Sequence, residues 1–285
     1  MDGAGYLAGE QSDHAARGLL EESLRCARAV GSPSEIAIAA SHLSAFMDMQ
    51  EGTEARALGE EAVALARAAD DRYTLAVALN NLGQVTLNQF SDPNETKALW
   101  QESLALRREI GDVSRVALSL INLSYLALLD DDNGPAEELA SEAFQLAESI
   151  GDKRHMCFSL GNLGWAALGQ DRFWEGNDLF MQSIALARDI GHRQSIVETF
   201  TGVAAAAAGV GDVARAARLW GAFEALEDVI GVKTSETDLA PVMSRLLERA
   251  RADAEAWDAA RAEGACMTLE EAIAYAIHES RASGA

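Results

Sequence analysis

Apolar and polar residues follow a pattern along the chain that recurs about every forty residues. Apolar positions fall at helical spacing in the phrases ESLRCAR, EAVALAR, ESLALRR, EAFQLAE and QSIALAR. A second set of phrases, NNLGQVTLNQFSD, INLSYLALLDDDN and GNLGWAALGQDRF, joins an Asn-Leu-small unit to an apolar stretch and a polar break. Apolar residues at three- and four-residue intervals predict amphipathic helices. A repeat of this length predicts a stacked array of helical units.

Each unit is predicted to contain two helices, with a polar break between them and a glycine after the second. The breaks read QEGT, FSDPN, DDDNGP, GQDR and GVGD. Glycine suits the left-handed conformation that ends many helices. The junction residues on the forty-residue grid are Gly31, Asp71, Gly111, Gly151, Gly191 and Gly231. Capping-box sequences predict helix starts at Ser32, Asp92 and Thr268, each followed three residues later by Glu.

Small residues recur at fixed places in both helices. The corresponding position of each first helix is Ser44, Gly83, Ser124, Gly164 or Ala204. Near the start of the second helix the small residues are Ala136, Gly176 and Ala216. Further along the second helix they are Ala62, Ser103, Ala143 and Ser183. Two helices approach closely only where side chains are small, and larger residues such as Leu123, Leu163, Phe173 and Phe180 then fill the remaining space. Because one pair cannot bury its apolar face alone, neighbouring pairs are expected to stack into a solenoid.

These features resemble tetratricopeptide repeats of the longer, MalT-like form found in bacterial signalling regulators. The resemblance covers residues 1 to about 231 and is best at Gly164, Phe173, Gly176 and Phe180. It implies an all-α, right-handed superhelix of about five to six helical hairpins in residues 1–231. The repeat after Asn80 departs from it by a one-residue shift and lacks a small residue in FSDPNETKALW. The opening GAGYLAGEQSDHAA resembles the tail of a first helix whose beginning is missing, which predicts a piece of a longer protein.

The last fifty residues break the grid and are predicted to form a C-terminal helical cap, 232–285. Phe223 occupies a position that is Ser or Ala in four earlier repeats, which is expected to prevent another identical pair from packing there. A long helix is predicted over about 236–263, with Leu239, Val242, Leu246, Leu247, Ala250 and Trp257 on one side, followed by a short capped helix, TLEEAIAYAI. The phrases RLWGAFEALEDVIG and EAWDAARAEGACMTLEEAIAYAI resemble the C-terminal end of large signal-transduction ATPases and LuxR-type transcriptional regulators.

Composition restricts the function classes. The net charge is −22, which disfavours direct binding to nucleic acid or to anionic membranes. This charge favours a basic partner segment, although acidity also keeps helical proteins soluble. No apolar stretch is long enough to cross a membrane, and the first residues have neither the basic nor the apolar region of a secretory signal, so none is expected. The three cysteines, Cys26, Cys157 and Cys266, form no CxxC pair, so small core or surface positions in a reducing cytoplasm are expected.

No catalytic motif is found, and the chain is expected not to be an enzyme. The phosphate-binding GxxxxGK[ST], GxSxG and HExxH patterns are absent, and the five histidines fall in different units. The acidic run Asp130–Gly134 has the composition of a calcium loop but lacks its ligand spacing, so a solvated turn is favoured. No metal or cofactor is predicted.

The resemblance implies a binding surface, because the first helices of such repeats line the concave groove. The residues it assigns to this groove are Asn80, Asn81, Gln84, Asn88, Asn122, Tyr125, Phe158, Asn162 and Trp165. Asn81, Asn122 and Asn162 form a ladder one unit apart, and side-chain amides both donate and accept hydrogen bonds to an extended peptide. Tyr125 and Trp165 are candidate apolar anchors.

Two alternatives stay open at these positions. The first is that the asparagines cap or bridge neighbouring helices as part of the repeat instead of contacting a ligand. The second is that Trp165 packs between helices instead of anchoring a ligand. Trp100 and Trp220 lie in second helices and are predicted to be core residues.

The sequence therefore predicts a non-enzymatic interaction or sensor domain that binds a peptide, a protein segment or a small effector. The resemblance implies the regulatory arm of a bacterial signalling ATPase or transcriptional regulator, with an attached or separate effector domain. A ligand that bridges successive repeats would favour one superhelical pitch over others. The alternatives are a stand-alone scaffold that forms homodimers or larger homo-oligomers, and an enzyme or ligand-processing protein that uses the helical groove.

Overall fold

The computed structural model describes residues 3–47, 51–230, 241–252 and 254–282, and these residues form helices with no strand among them. The α-helices are α1 (Gly3–Val30), α2 (Pro33–Phe46), α3 (Gly52–Ala68), α4 (Arg72–Val85), α5 (Pro93–Ile110), α6 (Val113–Leu129), α7 (Asn133–Ser149), α8 (Lys153–Gly169), α9 (Phe173–Asp189), α10 (Arg193–Gly209), α11 (Val213–Ile230), α12 (Pro241–Ala250), α13 (Ala254–Ala265) and α14 (Leu269–Ala282). A π-helical segment, Thr86–Phe90, follows α4 directly. Of the helices in these ranges, none is both long and apolar enough to cross a membrane.

The chain divides into two compact units, Met1–Leu123 and Ser124–Ala285, with the division inside α6. Within each unit, helices that follow one another in sequence pack as neighbours, such as α2 with α3, α4 with α5, and α8 with α9. The predicted all-α solenoid-type fold is thereby confirmed. The predicted domain boundary at residue 231 lies outside the described residues.

The predicted glycine C-caps are confirmed at three junctions. Gly111, Gly151 and Gly191 have φ angles of 80°, 69° and 68°, in the left-handed region where a Cβ atom is disfavoured. Gly31 ends α1 without a left-handed φ, and its amide donates to the carbonyl of Ala27. Gly231 lies outside the described residues.

The prediction that Asp71 replaces the grid glycine is wrong by one residue. Asp70 takes the left-handed conformation, with φ 52°, and Asp71 instead caps the start of α4. The carboxylate of Asp71 accepts a hydrogen bond from the amide of Thr74 at 3.0 Å. An aspartate at an N-cap is favoured because it satisfies an amide that has no partner inside the helix.

The three predicted helix starts are confirmed. The Ser32 hydroxyl accepts from the amide of Glu35 while the Glu35 carboxylate accepts from the amide of Ser32, which is a complete capping box. Thr268 and Glu271 form the same pair of bonds before α14. The Asp92 carboxylate accepts from the amide of Glu95 at 3.0 Å.

Small residues bring helices into contact where the repeat predicts it. The hydroxyl of Ser44 donates to the carbonyl of Ala55 at 2.5 Å, and that of Ser124 donates to the carbonyl of Ala136 at 2.8 Å. A large side chain lies against some of these positions: Trp100, 1% exposed, packs over Gly83, and its indole N–H donates to the Asn80 carbonyl at 3.0 Å. Trp100 and Trp220 are both buried, which confirms their predicted core positions.

The single long helix predicted over 236–263 is wrong, because the structure contains two helices there, α12 and α13. They contact different partners: α12 packs mainly on α10, whereas α13 packs on α11. The α11–α13 contact is close at Gly221 and Gly264, since a Cβ on either would collide with a backbone carbonyl of the other helix. Five of the predicted apolar residues are buried, namely Val242, Leu246, Leu247, Ala250 and Trp257, and Leu239 lies outside the described residues.

The close contact at Gly83 generates a stability prediction. A Cβ on Gly83 would lie 2.5 Å from Nε1 of the buried Trp100, so Gly83→Ala is expected to destabilise the protein by about 1–3 kcal/mol despite the better helix propensity of alanine. Gly18→Ala is the matched control, because nothing lies within 4 Å of a Cβ at that helical position. It is expected to be neutral or to stabilise by up to about 1 kcal/mol. Chemical unfolding of the two variants measures the difference, and equal stabilities would contradict the proposed contact.

Candidate functional site

The first helix of each pair presents a stripe of polar and aromatic side chains, which we call the first-helix face. Along α4 and α6 these residues recur at steps of three, four or seven, so their side chains emerge on one side of the helix. In the first unit the face comprises His42, Tyr73, Asn80, Asn81, Gln84, Asn88, Arg115 and Asn122, and in the second unit it comprises Phe158, Asn162, Trp165 and Glu198.

The asparagines of the first unit are hydrogen-bonded to one another and to neighbouring helices. The Asn81 amide donates to the hydroxyl of Ser41 at 2.9 Å, and the Asn122 amide donates to Oδ1 of Asn80 at 3.2 Å. The Asn80 amide in turn donates to Oδ1 of Asn81 at 3.3 Å. The bonds from Asn81 and Asn122 join different helices, as the alternative interpretation expects, whereas the bond between Asn80 and Asn81 lies within α4. The role of the same amides in holding a ligand stays a prediction.

Gln84 and Asn88 lie further along the face and contact each other. The Gln84 amide donates to Oδ1 of Asn88 at 2.8 Å, across the start of the π-helical segment. Gln84 is half-buried and Asn88 is exposed. This pair is therefore the part of the predicted amide set that solvent reaches most freely.

A buried arginine lies beneath these asparagines, and the sequence reasoning missed it. Arg107 of α5 is 2% exposed. Its Nη1 donates to Ser119 Oγ at 2.6 Å, to Asn80 Oδ1 at 3.1 Å and to the Arg115 carbonyl at 3.2 Å. Burial and the positive charge of Arg115 lower the pKa of Arg107 to about 10, while Asp112 opposes the shift. The group is still charged at neutral pH.

The signal for Arg107 is present in the repeat pattern. Its phrase reads ESLALRR, whereas the same position in the other aligned second-helix phrases is Ala27, Ala66, Ala147 and Ala187. A charged residue at a place where the repeat otherwise uses alanine is an exception that comparison of the phrases could have found.

Arg115 extends the positive charge across the face of the first unit. It is half-buried on α6, and its charge lowers the pKa of His42 on α2, after the larger effect of burial. His42, Arg107 and Arg115 thus place basic groups together in a chain whose net charge is −22.

The aromatic candidates of the second unit make contacts within the fold. Trp165 is half-buried and stacks edge-on against Phe180, with ring centroids 5.3 Å apart. Phe158 lies 5.9 Å from the His192 ring, and the Arg154 guanidinium lies 5.6 Å from the Phe158 centroid. Trp165 therefore makes the inter-helix contact that was the alternative to a ligand anchor. Asn162 is nearly buried and Tyr125 is half-buried, and each has an interaction partner.

The first helices of the second unit are contacted by the C-terminal part of the same chain. Helix α12 packs on α10 and also contacts α8, both of which are first helices. The contact is apolar, because Val242, Met243, Leu246, Leu247 and Ala250 of α12 are all buried in one cluster with residues of α8 and α10. Helix α12 of the predicted cap thus lies against two first helices, of which α8 carries the predicted site residues Phe158, Asn162 and Trp165.

Glu198 of α10 is a carboxylate of the second unit's face whose pKa is raised, and it was also missed. It corresponds to Phe158 one repeat earlier. Burial raises the pKa of Glu198, the negative charge of Glu227 adds to the shift, and the hydrogen bond from Gln194 opposes it.

The geometry of the described residues does not assemble a catalytic site. No group of three or more His, Cys, Asp and Glu side chains in these ranges is placed to hold a metal ion. Cys157 is buried, and burial raises the pKa of its thiol, whereas Cys26 and Cys266 are exposed and unpaired in disulfides. The acidic run after α6 forms a turn in which Asp131 takes a left-handed φ of 56°.

The shifted Glu198 generates a pH prediction. Because the pKa of Glu198 in the folded state is raised above its ordinary value of 4.5, the folded state binds this proton more tightly than the unfolded state. Stability from this group is therefore complete below pH 4.5 and decreases as the pH rises through the raised pKa. Glu198→Gln is expected to raise the unfolding temperature at neutral pH and to lose this advantage below pH 4.5.

The control for this experiment is Glu138→Gln, which removes the same charge from an exposed position of α7. Thermal unfolding of both variants across the acidic range separates the local effect from the change in net charge. An equal rise in unfolding temperature for both variants at neutral pH would contradict the role of burial.

Comparison of the sequence with protein-family models and with curated proteins finds no significant match.

Proposed function

We propose that this chain is a non-enzymatic interaction module whose first-helix face binds a peptide or protein segment. The observation that carries the proposal is helix α12, which lies against α8 and α10 through five buried apolar residues. At the edge of this contact Arg245 of α12 lies 3.8 Å from the Asp131 carboxylate. First helices of this chain thus already hold an amphipathic helix, which is one of the common modes of segment recognition.

The first unit has the corresponding face with different chemistry. Tyr73 and Asn88 are exposed there, and Asn80, Asn122 and Arg115 are half-buried. Side-chain amides and a tyrosine suit an extended or partly polar segment better than an apolar helix face. We therefore assign partner binding to the first-helix face of the first unit.

The resemblance to tetratricopeptide repeats of bacterial regulators supports a second part of the proposal. In that reading the chain is the regulatory arm of a signalling ATPase or transcriptional regulator, and partner binding shifts the population of arm conformations. The alternative to the regulatory arm is a stand-alone scaffold that forms homo-oligomers.

Peptide selection tests the binding face. A displayed library of random peptides is expected to yield binders whose affinity falls about tenfold or more, a loss of about 1.4 kcal/mol, in the double variant Gln84→Ala/Asn88→Ala. These two side chains bond to each other and not to the core, so the variant is expected to keep its helical spectrum. The matched control is Gln101→Ala, an exposed amide on the second helix α5. Binders that are unaffected by the double variant, or weakened equally by the control, would exclude this face.

The intact mass of the native protein, captured from its own cells with an antibody to this region, tests the regulatory arm. We expect a mass well above 30.3 kDa, because an arm is attached to its effector domain. A denatured mass equal to this chain would contradict the attached arm and favour a separate adaptor or scaffold.

A further inference from the structure

One end of the Arg107 guanidinium is hydrogen-bonded and the other is not. Nη1 donates to acceptors on Asn80, Arg115 and Ser119. Nη2 is buried and has no hydrogen-bond partner among the described residues. Leaving a buried charged donor without an acceptor is strongly unfavourable, so such a group calls for an explanation beyond packing.

Arg115 is the second arginine in this region without an acidic partner. No carboxylate of the described residues lies within salt-bridge distance of either guanidinium. The other arginines of the first unit commonly have one: Arg28 pairs with Glu61, Arg56 with Glu95, Arg67 with Glu102 and Arg72 with Glu109. Acidic residues are not scarce, since the chain has 45 of them and only 23 Lys and Arg.

The position of Arg107 makes a purely structural role a poor explanation. The repeat has alanine there in four other pairs, so the helix contact itself does not need an arginine. Burying a guanidinium without a salt-bridge partner costs stability, and charged groups with shifted pKa values are common at binding sites.

We propose that Arg107 and Arg115, together with the amide of Asn122, bind an oxyanion group of the ligand that occupies the first-helix face. The oxyanion is a carboxylate or a phosphate. This inference rests on the proposed function and names the chemistry of its ligand in the first unit. It is an additional site and not one of the amide positions predicted from the repeat alone.

Arg107, Arg115 and the Asn122 amide offer hydrogen-bond donors and positive charge. An oxyanion complements them because it supplies hydrogen-bond acceptors and negative charge. Arginine guanidinium groups bind planar carboxylates and phosphates through paired N–H bonds. Arg115 is half-buried and therefore partly open to solvent, whereas Nη2 of Arg107 is buried, so we expect the oxyanion to meet Arg115 first. Nδ2 of Asn122 uses one hydrogen for Asn80 and has a second hydrogen to offer.

Inorganic phosphate and acetate are the probes that test this site in the full chain. In separate NMR titrations at constant ionic strength, each anion that fits is expected to give saturable shifts of the Asn122 side-chain amide and of Nε of Arg115. The anion that binds more tightly identifies the oxyanion class. The absence of a saturable shift with both anions would overturn the proposal.

Three variants locate the site. Arg115→Gln and Arg107→Ala are each expected to weaken anion binding about tenfold or more, because each removes a charged donor. Arg107→Ala inserts the residue that four other pairs have at this position, so we expect it to remain folded. Arg72→Gln is the matched control, since it removes the same charge from an arginine that pairs with Glu109, and it is expected to bind as the unmodified protein does. Equal weakening by Arg72→Gln would assign the effect to net charge and overturn the site.

The peptides selected on the first-helix face separate this proposal from the proposed function. If they bind the unmodified protein and the Arg115→Gln variant equally well, the oxyanion site is excluded while the interaction face stands. If the anions bind at Arg115 but the Gln84→Ala/Asn88→Ala variant keeps full peptide affinity, the oxyanion site stands and the proposed peptide face fails.

Discussion

The close approach of paired helices at small residues is the constraint on which this structure depends. Where the backbone carries Gly, Ser or Ala, a neighbouring helix or a large side chain comes within contact distance, as Trp100 does over Gly83 and Phe180 does over Gly164. Buried serine hydroxyls at these places donate hydrogen bonds to backbone carbonyls of the neighbouring helix, so the close contact does not leave these hydroxyls without partners. The forty-residue recurrence of small residues is therefore a steric rule, and the chain repeats because each helix pair must meet it again.

This rule also explains why Arg107 stands out. At the corresponding place the other pairs use alanine, which adds almost nothing between the helices. The arginine must reach past this contact to find acceptors, and it finds them on Asn80 and Ser119 at the first-helix face. Its long side chain thus links the packing of the second helix to the polar network of the first. Arg107 is thus both the exception to the packing rule and a buried charged group with an unpartnered donor.

Features that depend on contacts within one repeat could be predicted from the sequence, and features that depend on distant segments could not. The capping boxes at Ser32 and Thr268 and the left-handed glycines at 111, 151 and 191 follow from local residue preferences. Periodicity placed Val242 and Leu246 on a buried face but could not identify α10 as its partner, because an amphipathic helix fits any apolar surface. The π-helical segment after α4 and the contact of Trp165 with Phe180 depend on tertiary packing in the same way.

The charge of the chain narrows the kind of ligand that fits both proposals. A net charge of −22 repels a polyanion at long range, whereas Arg107 and Arg115, which have no salt-bridge partner among the described residues, attract one anionic group at short range. Screening at physiological ionic strength confines the repulsion to about 8 Å from exposed carboxylates, whereas the buried Arg107 and the half-buried Arg115 are screened less. A segment with one carboxylate or phosphate among neutral or basic residues is attracted at both places. Its basic residues contact the acidic surface, and its oxyanion contacts the arginines. Nucleic acid has a phosphate at every nucleotide, so one phosphate could contact the arginines while the acidic surface repels the others. The two arginines thus make the first unit receptive to a single anionic group, while the acidic residues of the chain disfavour polyanions.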